Sequence, residues 1–429
     1  MEEEQSLMFE EIRRTYRPRI IDKAISEKLS AFRGVLITGP RSCGKSWTGL
    51  KHSSSAFFLG DEYTNNLASM DPRTVLKGEY PRMVDEWQDV PILWDIARRN
   101  IDFGLRKGMY IFTGSSLPPL DKTCHTGIGR FARLQMRTMS LYESGVSSGA
   151  VKLSELFSTG RTDVVHSRLN YQKAVALICR GGWPGALGLD DEKAIRMSYD
   201  YINSITELDS AKIDGRKRSV AITELILRSL ARNNATSAKV SVITADMRDN
   251  SGDISEQTVR SYIEFLKKIY IIEEQPAWHP SLCSRVRIRT SPVRHFTDPS
   301  LATAVLKAGP EILWKDTKTT GFLFESLCYR DMSVYASALG GHVFHYRDNS
   351  DLEVDAVVEL EDGRWGAVEV KMGRSQFDKA AANLIRMKEK MTAAGAPDPS
   401  FMMILNATGG AANIRPDGVV EVPIDCLGP

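Results

Sequence analysis

The chain has 429 residues, of which 42% are hydrophobic and 26% are charged, and its formal net charge is +2. At roughly 150 residues per domain, this length predicts about three domains. The near-neutral charge excludes a globally basic nucleic-acid binder, so any nucleic-acid contact must come from a local patch.

The cysteines and the N-terminus indicate the compartment. Six cysteines are scattered without a C-x-x-C pair, which argues against a zinc site and against a secreted disulfide framework. The start Met1-Glu2-Glu3-Glu4 is the reverse of a basic signal peptide, and no apolar run approaches the ~18 residues of a membrane span. We therefore expect a cytoplasmic protein with no membrane partner.

An apolar run feeds a glycine-rich loop at residues 34–46, GVLITGPRSCGKS. Its Gly-x4-Gly-Lys-Ser pattern is the P-loop signature, in which backbone N–H groups and a helix N-terminus bind phosphates. Lys45 is expected to reach the β- and γ-phosphates, and the Ser46 hydroxyl to ligate Mg²⁺. ATP and Mg²⁺ are the predicted cofactors. The predicted nucleotide contacts are Gly39, Pro40, Arg41, Ser42, Cys43, Gly44, Lys45, Ser46, Trp47 and Ser115.

The segment before this loop carries apolar residues at helical spacing from Ile20 to Leu29, which predicts an amphipathic helix that leads into the P-loop strand. Tyr16-Arg17-Pro18-Arg19 precedes it. These four residues either lie near the nucleotide base or cap the helix.

A second acidic motif lies about 40 residues downstream of the P-loop. Residues 80–88, YPRMVDEWQ, resemble the end of a Walker B strand, in which Asp85 holds Mg²⁺ and Glu86 polarises the attacking water. The alternative is a solvated acidic turn. Residues 92–101 predict a helix, and residues 109–116 a buried strand whose Thr113, Ser115 and Ser116 are candidates to orient that water.

Two arginines follow in residues 127–134, GIGRFARL, which we predict to begin a helix. An arginine placed against a neighbouring subunit's γ-phosphate stabilises the charge that develops in phosphoryl transfer. Arg130 is the candidate for this role and Arg133 the reserve. The alternative is a pair of exposed helix arginines.

Four motifs together resemble those of a prokaryotic AAA+ ATPase family whose C-terminal part is a PD-(D/E)xK nuclease-like domain, the domain of unknown function 4143. The motifs are Asp85-Glu86-Trp87-Gln88, Thr113-Gly114-Ser115-Ser116, Gly129-Arg130 and Gly181-Gly182-Trp183-Pro184. The resemblance covers nearly the whole chain. It implies an α/β fold with an AAA+ core, a homo-oligomeric ring with a hexamer as the expected form, and DNA as a partner. Ser42-Cys43 and Trp47 depart from the residues expected around the P-loop.

Residues 161–215 have a helical pattern that Gly181-Gly182-Trp183-Pro184 interrupts, and they form the predicted lid. Residues 219–275 predict three helices, with Ser255 as N-cap of the third and with Val259, Ile263 and Leu266 pointing inward. This is the arrangement of a winged helix-turn-helix. Four arginines follow on an extended segment, a possible phosphate-contacting wing: Arg285, Arg287, Arg289 and Arg294. The alternative is a module that contacts protein or serves as a lid element.

The C-terminal part carries a second chemical constellation. Asp355 alternates with apolar residues on one predicted strand, and Glu369 and Lys371 alternate with valines on the next. Two carboxylates so placed are predicted to bind a divalent cation, and the lysine to activate water or to stabilise the phosphorane-like charge. Glu325 lies in an apolar stretch and would complete the site from a helix. The alternatives are a nuclease fold kept only for binding and a salt-bridged strand pair.

The predicted domains are an AAA+ core (1–160), a helical lid (161–215), a winged-helix domain (216–300) and a PD-(D/E)xK nuclease-like domain (301–429). We expect an ATPase that binds and remodels or processes DNA, with branched or forked DNA as possible substrates and metal-dependent nuclease activity as a possible second activity. The rival prediction is a nucleotide-gated signalling or scaffold ATPase that acts on protein partners, with an inactive nuclease-like domain. Salt-dependent DNA binding would separate the two.

Overall fold

A computed structural model describes residues 9–12, 14–104, 106–115, 129–207, 215–251, 254–281 and 290–429. The chain forms two compact units. The first comprises residues 1–138, 209–217 and 268–270, and the second comprises residues 139–208, 218–267 and 271–429. The division at 138 lies upstream of the boundary predicted at 160, and the four-domain division stays a prediction.

The first unit is built on a five-stranded parallel sheet with the order β2-β3-β4-β1-β5. Its strands are β1 (Gly34–Thr38), β2 (Ser55–Phe58), β3 (Arg82–Asp85), β4 (Tyr110–Gly114) and β5 (Phe131–Gln135). Its helices are α1 (Ile21–Ala31), α2 (Lys45–Lys51), α3 (Glu62–Met70), α4 (Pro72–Val75) and α5 (Ile92–Phe103). The carboxyl ends of parallel strands meet at one edge of the sheet, so the segments after β1, β3 and β4 lie side by side.

Stacked aromatic rings form the core on one side of this sheet. Trp94 lies between Trp87 and Phe131, with ring centroids 4.8 and 4.2 Å away. The strands β1, β3 and β4 are buried along their whole length, as expected of central strands in a parallel sheet. The predicted helices at 20–29 and 92–101 are confirmed, and the strand predicted over 109–116 is observed at Tyr110–Gly114, with residue 116 outside the described residues.

The prediction of a helix that begins near Arg130 is wrong. Residues 129–130 form a turn, and Phe131–Gln135 forms β5, which pairs in parallel with β1. Phe131 and Ala132 are buried, whereas Arg133 is exposed. The segment is a strand because the Phe131 ring stacks on Trp94 and the backbone pairs with β1 at the edge of the sheet. Such tertiary contacts override the local helix propensity.

The second unit begins with short strands and helices and continues with a three-helix segment. The first part holds β6 (Val151–Lys152), α6 (Leu153–Thr159), β7 (Val165–His166), α7 (Tyr171–Arg180) and α8 (Asp191–Thr206). The helix α7 ends where predicted, at Gly181, whose φ is +72°. The three-helix segment is α9 (Val220–Arg232), α10 (Val240–Ser251) and α11 (Glu256–Lys268), followed by the antiparallel pair β8 (Ile272–Gln275) and β9 (Val293–Phe296).

The C-terminal part of the second unit is a seven-stranded mixed sheet with the order β10-β11-β12-β13-β15-β14-β7. The helices are α12 (Pro299–Leu306), α13 (Pro310–Leu313), α14 (Thr317–Ala338) and α15 (Phe377–Ala393). Besides β7, its strands are β10 (Gly341–Arg347), β11 (Glu353–Leu360), β12 (Trp365–Lys371), β13 (Phe401–Asn406), β14 (Ala411–Ile414) and β15 (Val420–Pro423). The last strand, β16 (Leu427–Gly428), lies outside this sheet and pairs in parallel with β6. The strands β10, β11 and β12 form an antiparallel meander, and β13 pairs in parallel with β12.

A buried ion cluster holds several segments of the second unit together. Arg330 on α14 donates to Asp331 Oδ1 (2.7 Å) and to Asp298 Oδ2 (3.0 Å), and its side chain is 2% exposed. The same carboxylates accept from backbone N–H groups, Asp298 from Gly182 and Asp331 from Leu141, both at 2.9 Å. Each buried charge is therefore paired and hydrogen-bonded, which the cost of burial requires.

A chain of buried polar side chains joins the three-helix segment to the C-terminal sheet. Asn234 donates to Ser326 Oγ at 2.8 Å, and Ser326 Oγ lies 2.8 Å from His295 Nδ1. His295 Nε2 lies 2.9 Å from Gln275 Oε1, and Gln275 Nε2 donates to the backbone oxygen of Asp355 at 3.0 Å. Burial lowers the pKa of His295 to about 3, so the imidazole is neutral near pH 7.

Across the residues that the structure describes, no helix is both long enough and apolar enough to span a membrane.

Candidate functional site

The glycine-rich loop connects β1 to α2 in a conformation that needs its glycines. Gly44 caps α2 with a φ of +103°, in the left-handed region. At Gly39 the φ is +153°, and a Cβ there would lie 2.1 Å from the backbone oxygen of Met136. Both positions therefore require glycine. Ser42 also has a positive φ of 60°.

Lys45 lies inside the loop. Its side chain is buried, and Nζ donates to the backbone oxygen of Pro40 at 2.8 Å. Cys43 is fully buried in the core cluster on one side of the sheet. By contrast, Arg41 is exposed, and Trp47 on the first turn of α2 is 47% exposed.

Asp85 at the end of β3 lies beside the loop. It is buried, and burial raises its pKa. Hydrogen bonds from Thr113 and Ser46 partly offset this shift, because they stabilise the charged carboxylate. Thr113 Oγ1 donates to Asp85 Oδ1. Serine hydroxyl and carboxylate oxygens are the hard ligands that Mg²⁺ prefers, so Ser46 and Asp85 fit a Mg²⁺ ion at the phosphates.

Glu86 follows in the left-handed region, with a φ of 50° and a ψ of 39°. This uncommon conformation for a non-glycine residue is typical of functional sites. Ser115 Oγ at the end of β4 donates to Glu86 Oε2 at 3.2 Å, and Gln88 Nε2 donates to the same oxygen. Of the three predicted water-orienting residues, Thr113 thus contacts Asp85 and Ser115 contacts Glu86, whereas Ser116 lies outside the described residues.

Arg19 is a loop-supporting residue to which the sequence assigned no such role. Its guanidinium donates to the backbone oxygen of Cys43 in the loop and to that of Arg137, both at 2.9 Å. It is 7% exposed. Arg19 therefore stabilises the loop by linking its backbone to the segment after β5. The only sequence signal is a cation just before α1, and its partner at 137 is 118 residues away.

Asp22, on the first turn of α1, links the start of α1 to the end of α2 through hydrogen bonds. It accepts from the backbone N–H of Arg19 and from the hydroxyl of Tyr16, both at 2.8 Å, and lies 2.9 Å from His52 Nε2. The Tyr16 hydroxyl also lies 3.0 Å from Thr48 Oγ1 on α2. Tyr16 therefore fastens α1 to the P-loop helix, and burial raises its pKa.

Arg130 lies at the sheet edge before β5. Its Nε donates to Asp102 Oδ1 at 2.6 Å, and the other oxygen of Asp102 accepts from Arg98 at 2.8 Å. The Arg130 side chain is 44% exposed. The role of Arg130 towards a neighbouring subunit stays a prediction.

In the second unit, the structure brings together the four residues that the sequence selected, which we call the carboxylate–lysine cluster: Glu325, Asp355, Glu369 and Lys371. Asp355 extends from β11, while Glu369 and Lys371 extend from β12. Lys371 Nζ lies 2.9 Å from Asp355 Oδ2 and 2.5 Å from Glu369 Oε2. Asp355 also accepts from the backbone N–H of Val370 at 2.7 Å. The alternating pattern on two adjacent strands therefore placed these three residues correctly.

Glu369 is the buried member of this cluster. It is 1% exposed, and its second oxygen accepts from Asn383 on α15 at 3.1 Å. Burial and the nearby Asp355 raise the pKa of Glu369 to about 8, although Lys371 opposes the shift. Carboxyl groups with a raised pKa beside a lysine are characteristic of functional sites, though structural ion pairs produce them too.

Glu325 approaches the cluster from α14. Burial, and secondarily the negative charge of Asp355, raises the pKa of Glu325 well above its ordinary value, and Lys371 opposes this. No group of three or more His, Cys, Asp and Glu side chains in the described ranges has a geometry that could hold a metal. Asp355 and Glu369 are held by Lys371 instead, and their role as metal ligands stays a prediction.

The three-helix segment has the predicted helices. Ser255 caps α11, since its Oγ accepts from the backbone N–H of Thr258 at 3.1 Å, and the three inward-pointing residues Val259, Ile263 and Leu266 are buried. Arg294 does not lie on an outward face, because its guanidinium donates to Glu274 at 3.1 Å and to the backbone oxygen of Ala238 at 2.7 Å. The other three arginines of the predicted wing lie outside the described residues.

Sequence profiles of three families match successive parts of the chain. Residues 31–145 match an AAA domain, residues 171–311 match domain of unknown function 8612, and residues 320–427 match domain of unknown function 4143. None of the curated proteins compared with the chain matches it. The first unit therefore carries an AAA-type ATPase domain.

Solved structures resemble the chain only distantly. A Walker-type ATPase of Pyrococcus abyssi is 14% identical with a TM-score of 0.42, covering 68% of this chain and 99% of its own. AMPPCP-bound DnaA from Aquifex aeolicus is 12% identical with a TM-score of 0.27, covering 57% and 86%. The Aeropyrum pernix Orc1 protein in complex with DNA is 11% identical with a TM-score of 0.23, covering 67% and 91%.

Proposed function

We propose that the chain, an ATPase of the AAA type, couples ATP hydrolysis to the remodelling or cleavage of DNA. The observation that carries the proposal is the joining of a P-loop unit to a second unit that holds the carboxylate–lysine cluster on adjacent strands. The first site handles a nucleotide, and the second has the residue types of metal-dependent phosphodiester hydrolysis.

In the first unit, the loop N–H groups and Lys45 bind the β- and γ-phosphates, and Ser46 and Asp85 would hold Mg²⁺. When bound, Mg²⁺ neutralises the charge that develops on the phosphate oxygens. Glu86 orients the attacking water, and Ser115 holds the Glu86 carboxylate in place. Water forms a bond to the γ-phosphorus as the bond to the β–γ bridging oxygen breaks, and Glu86 accepts the proton that the water loses. ADP and phosphate are released.

We propose that the predicted domains are the functional ones, with residues 161–215 as the lid and 216–300 as a winged-helix domain. Three helices followed by a two-stranded antiparallel pair support a winged helix. A homo-oligomeric ring, a hexamer in its simplest form, would let Arg130 act across a subunit boundary.

DNA binding through α11 is tested by the salt dependence of affinity. We expect binding to weaken steeply as salt rises, because phosphate contacts release counterions. Replacing the exposed Arg260 on α11 with Ala should weaken binding to every DNA sequence and lower the salt slope by about 1. Gel shifts on duplex, fork, four-way junction and single strand, with and without ATP, provide the measurement.

The control for this change is Arg364→Ala, which removes another exposed arginine of the second unit, on the turn between β11 and β12. Equal loss in both variants would indicate a general charge effect rather than contact by α11. Salt-independent binding, or none, would favour the alternative function, a signalling or scaffold ATPase that acts on protein partners.

Cleavage is tested at the carboxylate–lysine cluster. The expected reaction is attack of water on the phosphorus of a phosphodiester, which leaves a phosphate monoester and a free hydroxyl. Asp355→Ala and Lys371→Ala should abolish Mg²⁺- or Mn²⁺-dependent cleavage while ATP hydrolysis stays at the parental rate, since the sites lie in separate units. Cleavage is measured on labelled DNA of each topology.

The matched control is Glu361→Ala, which removes an exposed carboxylate just beyond the end of β11. It should cleave as the parent does. If the parent cuts no DNA with either metal, and Asp355→Ala changes neither metal binding nor DNA affinity, then Lys371 pairs with the carboxylates as a purely structural ion pair.

A further inference from the structure

A cavity of about 310 Å³ lies within the second unit, away from the carboxylate–lysine cluster. Its volume is at the lower end of the range of small-ligand sites, roughly 300–1,000 Å³. One face of α7 supplies four of its nine lining residues. The lining residues are Val146, Arg168, Leu169, Lys173, Ala176, Leu177, Arg180, Asp191 and Asp425.

The cavity gathers three cationic side chains that have no ion-pair partner among the described residues: Arg168, Lys173 and Arg180. Arg180 is partly buried, and its one hydrogen bond within the described residues runs from Nε to the backbone oxygen of Gly181 at 3.3 Å. A partly buried guanidinium that lacks a counter-charge costs free energy unless an anion pairs with it. Burial, and then the positive charge of Arg330, lowers the pKa of Arg180, in agreement with this cost.

The acidic residues of the lining form no ion pair with these three cations among the described residues. Asp425 Oδ1 accepts from Ser167 Oγ at 2.6 Å, and Oδ2 accepts from the backbone N–H of Arg168 at 2.9 Å. Both oxygens of the Asp425 carboxylate are therefore hydrogen-bonded within the wall of the cavity, and among the described residues Asp425 forms no ion pair with Arg168 or Arg180. Asp191 is exposed at the start of α8. Its negative charge and that of Asp298 oppose the lowering of the Arg180 pKa, but neither carboxylate forms an ion pair with Arg180 within the described residues. Three cations against two carboxylates leave an excess of positive charge.

We propose that this cavity binds a phosphate monoester. A dianionic phosphate matches several cations better than a carboxylate with a single charge does, and arginine presents a planar fork that engages two phosphate oxygens at once. The apolar part of the lining, which includes Leu169, Ala176 and Leu177, suits the organic group that the phosphate carries. Two sources share this chemistry, a free mononucleotide and the 5′-phosphorylated end of a DNA strand.

The test uses the full chain with Lys45→Ala, so that the P-loop does not contribute phosphate affinity. Titration calorimetry with thymidine 5′-monophosphate is compared with thymidine, and a 5′-phosphorylated 12-nucleotide strand with the same strand that ends in a 5′-hydroxyl. We expect the phosphorylated member of at least one pair to bind roughly tenfold or more tightly, the effect of one charged hydrogen-bond set. The pair that shows the difference identifies the source.

Arg180→Met, which keeps the length of the apolar stem, should remove that preference. Lys173→Met tests the exposed side of the cavity without altering a buried position, and should reduce the preference several-fold. Arg364→Met is the matched control and should preserve it. No preference for phosphate in either pair, or a preference that survives both Arg180→Met and Lys173→Met, would overturn the proposal.

Discussion

Glu86→Gln should still bind ATP but hydrolyse it roughly 10²–10⁴-fold more slowly, the usual contribution of a general base. The amide keeps the shape of the side chain and the hydrogen bond from Ser115, but it cannot accept a proton from the attacking water. Lys45→Ala should instead lose nucleotide affinity, because its ammonium group lies within the loop. Phosphate release and equilibrium binding of a labelled nucleotide separate the two defects.

Glu79→Gln is the matched control, since it makes the same change at an exposed carboxylate of the same unit. It should hydrolyse ATP at the parental rate. If Glu86→Gln also turns over at that rate, the catalytic role belongs to another residue and the left-handed backbone at 86 has a structural cause.

Arg330→Leu should destabilise the second unit by about 3–5 kcal/mol, the usual cost of removing one partner from a buried ion pair. The change strands Asp298 and Asp331, both fully buried, without their counter-charge. We expect a clearly lower urea midpoint for the second unit, followed by a probe such as near-ultraviolet dichroism, while ATP binding by the first unit persists.

The control is Arg364→Leu, which breaks an exposed pair with Asp362. Exposed pairs contribute little to stability, so its urea midpoint should stay close to that of the parent. Equal midpoints for Arg330→Leu and the parent would mean that protonation or water compensates the stranded carboxylates.

Local patterns predicted the P-loop strand, its glycines and the residues around Asp85, because each depends on neighbours a few positions away. The alternation of Asp355, Glu369 and Lys371 with valines also sufficed, since two adjacent strands expose the same face. In these features, the spacing of residues along the chain determines which side chains lie close together.

Features that depend on distant partners escaped prediction. Arg19 braces the loop by a bond to the backbone oxygen of Arg137, and no local signal marks such a contact. The sequence predicts a helix after Arg130, but this segment is the strand β5, which is defined by pairing with β1 and not by its own sequence. Similarly, Val165–His166 joins the C-terminal sheet through β14, although the segment was expected to be helical.

The polar chain from Asn234 to Asp355 bears on how the protein can be divided for expression. A fragment that begins at residue 301 would keep Ser326 and the strand that carries Asp355, but it would lose Gln275, His295 and Asn234. The hydroxyl of Ser326 and the backbone oxygen of Asp355 would then face gaps in place of their buried donors. A C-terminal fragment that keeps this chain of hydrogen bonds must therefore begin before Asn234.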